Sequence, residues 1–168
     1  MDTIKTALDR NAKALQLRPT LGRMTAVTNV RLNEGLACEA EEGAWKMRMD
    51  MSPKSGGTGA APNPGVYGRA SLGSCLAIGY AMWAARLEIP LRSLEVEVQT
   101  DMDTAYEYGL KGRNPGYEQV RCIVRIDSTA PASRVRDMIA QANEASSFFN
   151  VWAQAQDVRV EVQTAGGA

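Results

Sequence analysis

Chemistry in this sequence would have to run on cysteine, carboxylates, hydroxyls, arginine or a borrowed cofactor, and Cys75 is the first candidate to weigh. It sits in the stretch Ala70-Ser71-Leu72-Gly73-Ser74-Cys75-Leu76-Ala77-Ile78-Gly79-Tyr80, which holds no charge and places hydroxyls at Ser71 and Ser74 beside the thiol. A thiolate near the start of a helix is a strong nucleophile, but a cysteine in an apolar run is also a small hydrophobe that packs. Position alone leaves both roles open. The competing chemistries are few, because the chain contains no histidine. That removes the Ser-His-Asp triad, the Cys–His dyad, an imidazole base and a histidine-bound metal built from one chain. We expect no cofactor and no metal.

The remaining candidates read as structural. Cys38 and Cys122 complete a set of three cysteines with no C-x-x-C pair, which excludes a zinc ribbon or a dithiol redox motif. An odd, sparse set does not suit a secreted disulfide framework, and the start Met1-Asp2-Thr3-Ile4-Lys5 lacks the layout of a signal peptide, so a cytoplasmic protein is expected. Cys122 falls on the apolar side of a strand. Met47, Met49 and Met51 could suggest a soft metal, yet they alternate with Lys46, Arg48 and Asp50 as a buried strand face would. Glu95 and Glu97 share the polar face of another strand, where acid–base work and simple exposure are both open. Tyr106, Tyr108 and Tyr117 gather in a polar connection that they would anchor.

The elements that must position Cys75 follow from periodicity. Residues 2–16 read as a helix with Asp2 as N-cap, Ile4, Leu8, Ala12 and Leu15 at helical spacing, and Pro19 as its end. Alternation from Met24 to Leu32, a turn at Asn33-Glu34-Gly35, a returning strand over 36–40 and a third from Trp45 to Met51 predict an antiparallel meander with one buried face. Ser52 to Gly65 is a loop that matches neither phosphate-binding glycine pattern. A helix over 66–88, strands over 93–100 and 120–126, a helix beginning at Ser128 or Thr129 and broken at Ser146-Ser147, and a closing strand through Val158, Val160 and Val162 complete an α+β chain.

Length and charge agree with one soluble unit. The 168 residues carry 19 Lys+Arg against 19 Asp+Glu, a balance that offers no footprint for nucleic acid. The uncharged run between Arg69 and Arg86 is shorter than a spanning helix needs and contains serines and glycines, so no membrane contact is expected. A helix apolar on every face must instead be enclosed. Six short strands cannot easily surround it, so a second copy of the chain is expected, with Gly73 and Gly79 suited to close helix approach.

Pro62-Asn63-Pro64, then Ala70-Ser71-Leu72-Gly73-Ser74-Cys75 opening a long apolar helix, resembles the signature of the OsmC/Ohr-like family, the osmotically inducible and organic hydroperoxide resistance proteins. The Gly-Gly-Thr-Gly loop before it and the strand-strand-helix-strand order after it support the likeness. The resemblance implies an OsmC-like domain over residues 22–163, with residues 1–21 as a helical extension and 164–168 as a disordered tail. It implies antiparallel sheets wrapped around central helices in an intertwined homodimer. It also implies reduction of organic hydroperoxides in oxidative-stress defence, with Cys75 as the peroxidatic cysteine and Arg31, Ser71 and Ser74 as candidates to support it.

Two departures divide the reading. The position of the family's resolving cysteine corresponds to Ser146, and a glutamate that usually follows the Asn-Pro pair falls at Val66. The chain is then either a thiol peroxidase that depends on an external thiol reductant, or a non-catalytic dimer of the same fold binding an apolar small molecule.

Overall fold

The computed structural model describes residues 2–112 and 114–165, and of Asp2 the backbone alone. The expected N-cap role of the Asp2 side chain and the last three residues of the expected tail, 166–168, lie outside what is described. Helix α1 (Asp2–Leu17) ends ahead of Pro19, where a 3-10 turn, Pro19–Gly22, takes over. Three strands follow, β1 (Asn29–Leu32), β2 (Cys38–Glu42) and β3 (Trp45–Met49), in an antiparallel sheet of order β1-β2-β3. Ala40 faces Val30 on one side and Met47 on the other, and Glu42 pairs with Trp45 across a tight turn at Gly43-Ala44. Gly43 has φ +57°, a left-handed backbone that suits glycine in a two-residue hairpin loop.

Helix α2 (Pro64–Arg86) is the centre of the molecule. Strands β4 (Ser93–Met102) and β5 (Tyr117–Asp127) form a separate antiparallel sheet against it. Leu94, Val96 and Val98, with Val120, Cys122 and Val124, pack on buried Leu72, Leu76 and Tyr80. The opposite face of this sheet is a ladder of charge: Arg125 reaches both Glu95, at 3.4 Å, and Glu97, at 2.5 Å, and Arg121 pairs with Asp101. Glu95 and Glu97 are thus spoken for by an arginine on a half-exposed face, which accounts for them without acid–base work. Helices α3 (Ala132–Ala145) and α4 (Ser147–Ala153) close the core, α3 with Met138, Ile139 and Ala142 and α4 with Phe148, Phe149 and Trp152. The fold is α+β, and no helix among the described residues is long and apolar enough to cross a membrane.

The structure corrects four sequence expectations. The alternation from residue 24 produces a strand only over Asn29–Leu32, exposed at every position. The meander forms with its antiparallel order, but its expected buried face reduces to Ala40, while Trp45 stands 76% exposed. Helix α2 reaches this sheet through Tyr67, whose hydroxyl donates to the Arg48 carbonyl at 2.8 Å.

The closing strand is absent: Val158, Val160 and Val162 are 82%, 85% and 77% exposed. Period-two apolar spacing does not make a strand when no neighbouring backbone completes its ladder. The last helix starts at Ala132 rather than at Ser128 or Thr129, because Pro131 keeps Ala130 out of helical geometry. Ser128 instead donates to the Pro90 carbonyl at 2.6 Å and accepts from Ala130 N at 3.1 Å, joining the helix entry to the end of the α2 connection.

Candidate functional site

The site begins with the loop that launches α2. Asp50, 2% exposed, accepts from Met51 N at 2.7 Å, Thr58 N at 3.0 Å, Thr58 Oγ1 at 2.6 Å and Ala60 N at 3.1 Å. Four donors aimed at one carboxylate favour its charged form. The Thr58 hydroxyl bond leads, burial opposes it, and the Ala60, Met51 and Thr58 amides add to it, so the Asp50 carboxyl is held down to about 2. Gly57 is required inside this knot, since a Cβ there would lie 2.0 Å from the Met51 carbonyl oxygen and 2.7 Å from Asp50 Oδ1.

Asp50 was not among the sequence candidates. Its signal was a carboxylate closing an apolar strand just before a Gly-Gly-Thr-Gly loop, a pattern that single residues do not advertise. Beyond the knot, Asn63 caps α2 through Oδ1, which accepts from Val66 N at 3.1 Å, and Pro64 occupies the first turn.

Helix α2 then presents two unlike sides. On the sheet side a Cβ on Gly73 would lie 3.2 Å from Val98 Cγ2 and 3.8 Å from the Val96 carbonyl oxygen, so the small residue lets helix and sheet close together. On the other side Ser71, Ser74, Cys75, Ile78, Gly79 and Met82 form one wall of a groove of about 490 Å³. The facing wall is the α3–α4 corner, with Ala142, Ala145, Ser146, Ser147 and Phe148, and Trp83 of α2 adds to the lining. Gly79 meets nothing within 4 Å, so it serves no helix contact inside the chain.

The groove brings half-buried Cys75 and Ser146 together, two positions 71 residues apart in sequence (146 − 75). It is apolar where Ile78, Met82, Trp83 and Phe148 meet and hydroxyl-lined around the thiol, and among the described residues no charged side chain lines it.

The supporting residues divide. Ser71 Oγ donates to the Gly68 carbonyl at 2.8 Å and Ser74 Oγ to the Ser71 carbonyl at 3.2 Å, so their protons serve the helix backbone. Ser146 Oγ accepts from Phe149 N at 3.1 Å and caps α4. Arg31 stands elsewhere in the chain, in a polar recess with Asn29, Asn33, Glu39 and Glu41. Arg69, the cation nearest Cys75 along the helix, bends back toward the start of α2, its Nη1 3.3 Å from where a Gly65 Cβ would stand. Val66 is exposed and brings no carboxylate.

The other cysteines are placed away from the groove. Cys122 lies on the sheet side of α2, packed on the buried cluster, and burial pushes its thiol up. Cys38 is half-buried in β2, opposite Leu32 and Met49. Tyr117 stacks on Trp152 with ring centres 5.6 Å apart and anchors the long β4–β5 connection, while Tyr106 and Tyr108 are exposed. Met47 and Met49 are half-buried strand residues, and no group of three or more metal-ligating side chains forms among the described residues.

Comparison with known proteins gives one family. The model of OsmC-like proteins matches residues 57–161. An OsmC-like protein from Mycoplasma pneumoniae superposes with a TM-score of 0.67 at 16% identity, over 77% of this chain and 88% of its own. An OsmC-like protein of unknown function from Vibrio cholerae gives 0.62 at 14% identity, over 76% and 93%. An organic hydroperoxide resistance protein from Legionella pneumophila gives 0.55 at 17% identity, over 76% and 88%. No curated protein matches the chain.

Proposed function

This chain belongs to the OsmC-like protein family, and from that footing we propose that it is a homodimeric thiol peroxidase that reduces organic hydroperoxides through Cys75 alone. The observation that carries the proposal is the placement of the thiol on the wall of an apolar groove, opposite Ser146. The apolar end suits the hydrocarbon part of a hydroperoxide, and the hydroxyl-lined end leaves the O–O bond against sulfur.

The Cys75 thiolate attacks the terminal peroxide oxygen. An S–O bond forms, the O–O bond breaks, and the leaving alkoxide takes a proton from water to become the alcohol. Sulfur is oxidised to sulfenic acid as the peroxide is reduced. Ser146 has no thiol to condense with it. An external thiol therefore attacks the sulfenic sulfur, releasing water and leaving a mixed disulfide, and a second thiol frees Cys75 with formation of the external disulfide.

Self-association is part of the proposal. It is supported by apolar surface that one chain leaves uncovered on α2, on the first sheet and along residues 158–162, including Ile78 at 61% exposure. A cytoplasmic setting is supported by three cysteines that form no disulfide.

One observation favours a second reading. A groove that no charged side chain lines among the described residues suits an apolar ligand held without chemistry, as in a non-catalytic binding module of the same fold.

A single experiment separates the two. Reduced protein is treated with cumene hydroperoxide, the sulfenic acid is trapped with dimedone, and wild type is compared with Cys75→Ser. We expect rapid adduct formation at Cys75, turnover that needs added thiol, and neither in the variant. Oxidation of Cys75 at the rate of an ordinary free thiol would leave the binding module standing. In Ser146→Cys the mixed disulfide should give way to an internal one, read as a loss of two hydrogens by mass.

A further inference from the structure

Behind the groove, on the side of α2 sealed against the second sheet and α3, lies a part-buried polar pair that the reading above does not use. Tyr80, on α2, is 2% exposed and packs among Leu72, Leu76 and Ala142, an environment that phenylalanine would fill equally well. Its hydroxyl donates to Asn143 Oδ1 at 2.8 Å. A buried phenol that takes a partner adds direction to packing that is otherwise non-directional. Arg134 Nη2 ties the start of α3 to the Leu87 carbonyl at the C-cap of α2, at 3.1 Å, and the Tyr80–Asn143 bond ties the end of α3 that leads to Ser146.

Its far end is well placed to matter. Asn143 lies one turn before Ser146, where α3 stops and α4 begins. That corner is knitted within itself, since Asn150 Nδ2 donates to the Ser146 carbonyl at 2.8 Å and Ser146 Oγ receives Phe149 N. The corner carries Ala145, Ser146, Ser147 and Phe148 into the groove as a unit. Apolar contacts alone would let such a unit slide along α2, because they lack a preferred register.

We infer that Tyr80 is a positioning residue: its bond to Asn143 sets the α3–α4 wall at a fixed distance from Cys75 and so preforms the seat of the apolar part of the substrate. Tyr80 does not touch the reacting atoms. The inference builds on the groove being the place of reaction, but its test reads the groove without peroxide.

The test is alkylation of Cys75, followed by site-resolved mass spectrometry, with two reagents. Iodoacetamide is small and reports the thiol itself. N-(1-pyrenyl)maleimide is large and apolar, and reacts through prior seating in the groove.

In Tyr80→Phe the concentration of pyrenylmaleimide that half-saturates labelling should rise about fivefold, the scale of one ordinary hydrogen bond. Its limiting rate and the iodoacetamide rate should stay within about twofold of wild type. Asn143→Ala should give the same split, and the double variant no more than either single one, because one interaction is lost once. Unchanged half-saturation in both variants, or equal changes for both reagents, would overturn the inference. The peroxidase reading fails on a different result, inert Cys75 toward cumene hydroperoxide in wild type.

Discussion

The two sides of α2 are built from the same kind of residue and meet different fates. On one side Leu72, Leu76 and Tyr80 are sealed against β4, β5 and α3, with Gly73 close enough to Val98 to leave no gap. On the other side Ile78 and Met82 remain exposed around Cys75, and Gly79 faces open space. Each side has a cysteine as its marker. Cys122, on the strand packed against the sealed side, is desolvated and behaves as a hydrophobe, whereas Cys75 lines a groove that a reactant can enter. What separates a packing thiol from a candidate nucleophile here is the surface opposite, and not the local composition.

Substitutions on the two sides should therefore diverge, and the largest gap is in stability. Leu76→Ala removes a fully buried side chain and should cost about 3 kcal/mol in urea unfolding, within the range for large-to-small core changes. Ile78→Ala, at a position 61% exposed in one chain, should cost under about 1 kcal/mol at low protein concentration. A penalty for Ile78→Ala that grows with protein concentration would show that a second copy covers this side, as the proposed homodimer requires. Equal penalties at every concentration would erase the distinction between the sides.

Asp50 acts on both sides at once, because it organises the loop that starts α2. Its carboxyl is held down from 3.8 to about 2 in the folded chain, so its contribution is complete above the unfolded value and fades as pH falls through that interval. The melting temperature of wild type should drop between pH 4 and pH 2 more steeply than that of Asp50→Asn. The variant should melt lower at pH 7, by about 5 °C. Parallel curves for the two proteins would mean that the knot around Asp50 contributes nothing to folding.

The smallest effect distinguishes the glycines. Gly79→Ala meets no atom within the chain and should gain up to about 1 kcal/mol from helix propensity. Thermal melts at several concentrations read the sign. A loss that accompanies weaker self-association would place a partner chain against Gly79.

Much of this was legible beforehand, and the parts that were not share a cause. The helix around Cys75, the two strands β4 and β5 and the break at Ser146 all follow from local signals: an uncharged run between Arg69 and Arg86, period-two alternation, and a paired serine after a helical stripe. The strand expected through Val158, Val160 and Val162 carried the same alternation as β4 and still did not form, because a ladder needs a second backbone that the sequence of one segment does not specify. The same limit hid Asp50, whose importance lies in four donors delivered by a loop.

By itself the sequence determined which chemistry was available. With no histidine and three scattered cysteines, it removed imidazole and dithiol chemistries and left cysteine, carboxylates, hydroxyls, arginine or a borrowed cofactor, and the motif around Cys75 made that thiol the leading candidate. Only the tertiary structure decided that Cys75 looks across a groove at Ser146, that Cys122 is walled off behind the same helix, and that Arg31 stands elsewhere in the chain. The physical reason is that residue type sets what a group can do, while burial and neighbours, which arise between segments distant in sequence, set whether it is in a position to do it.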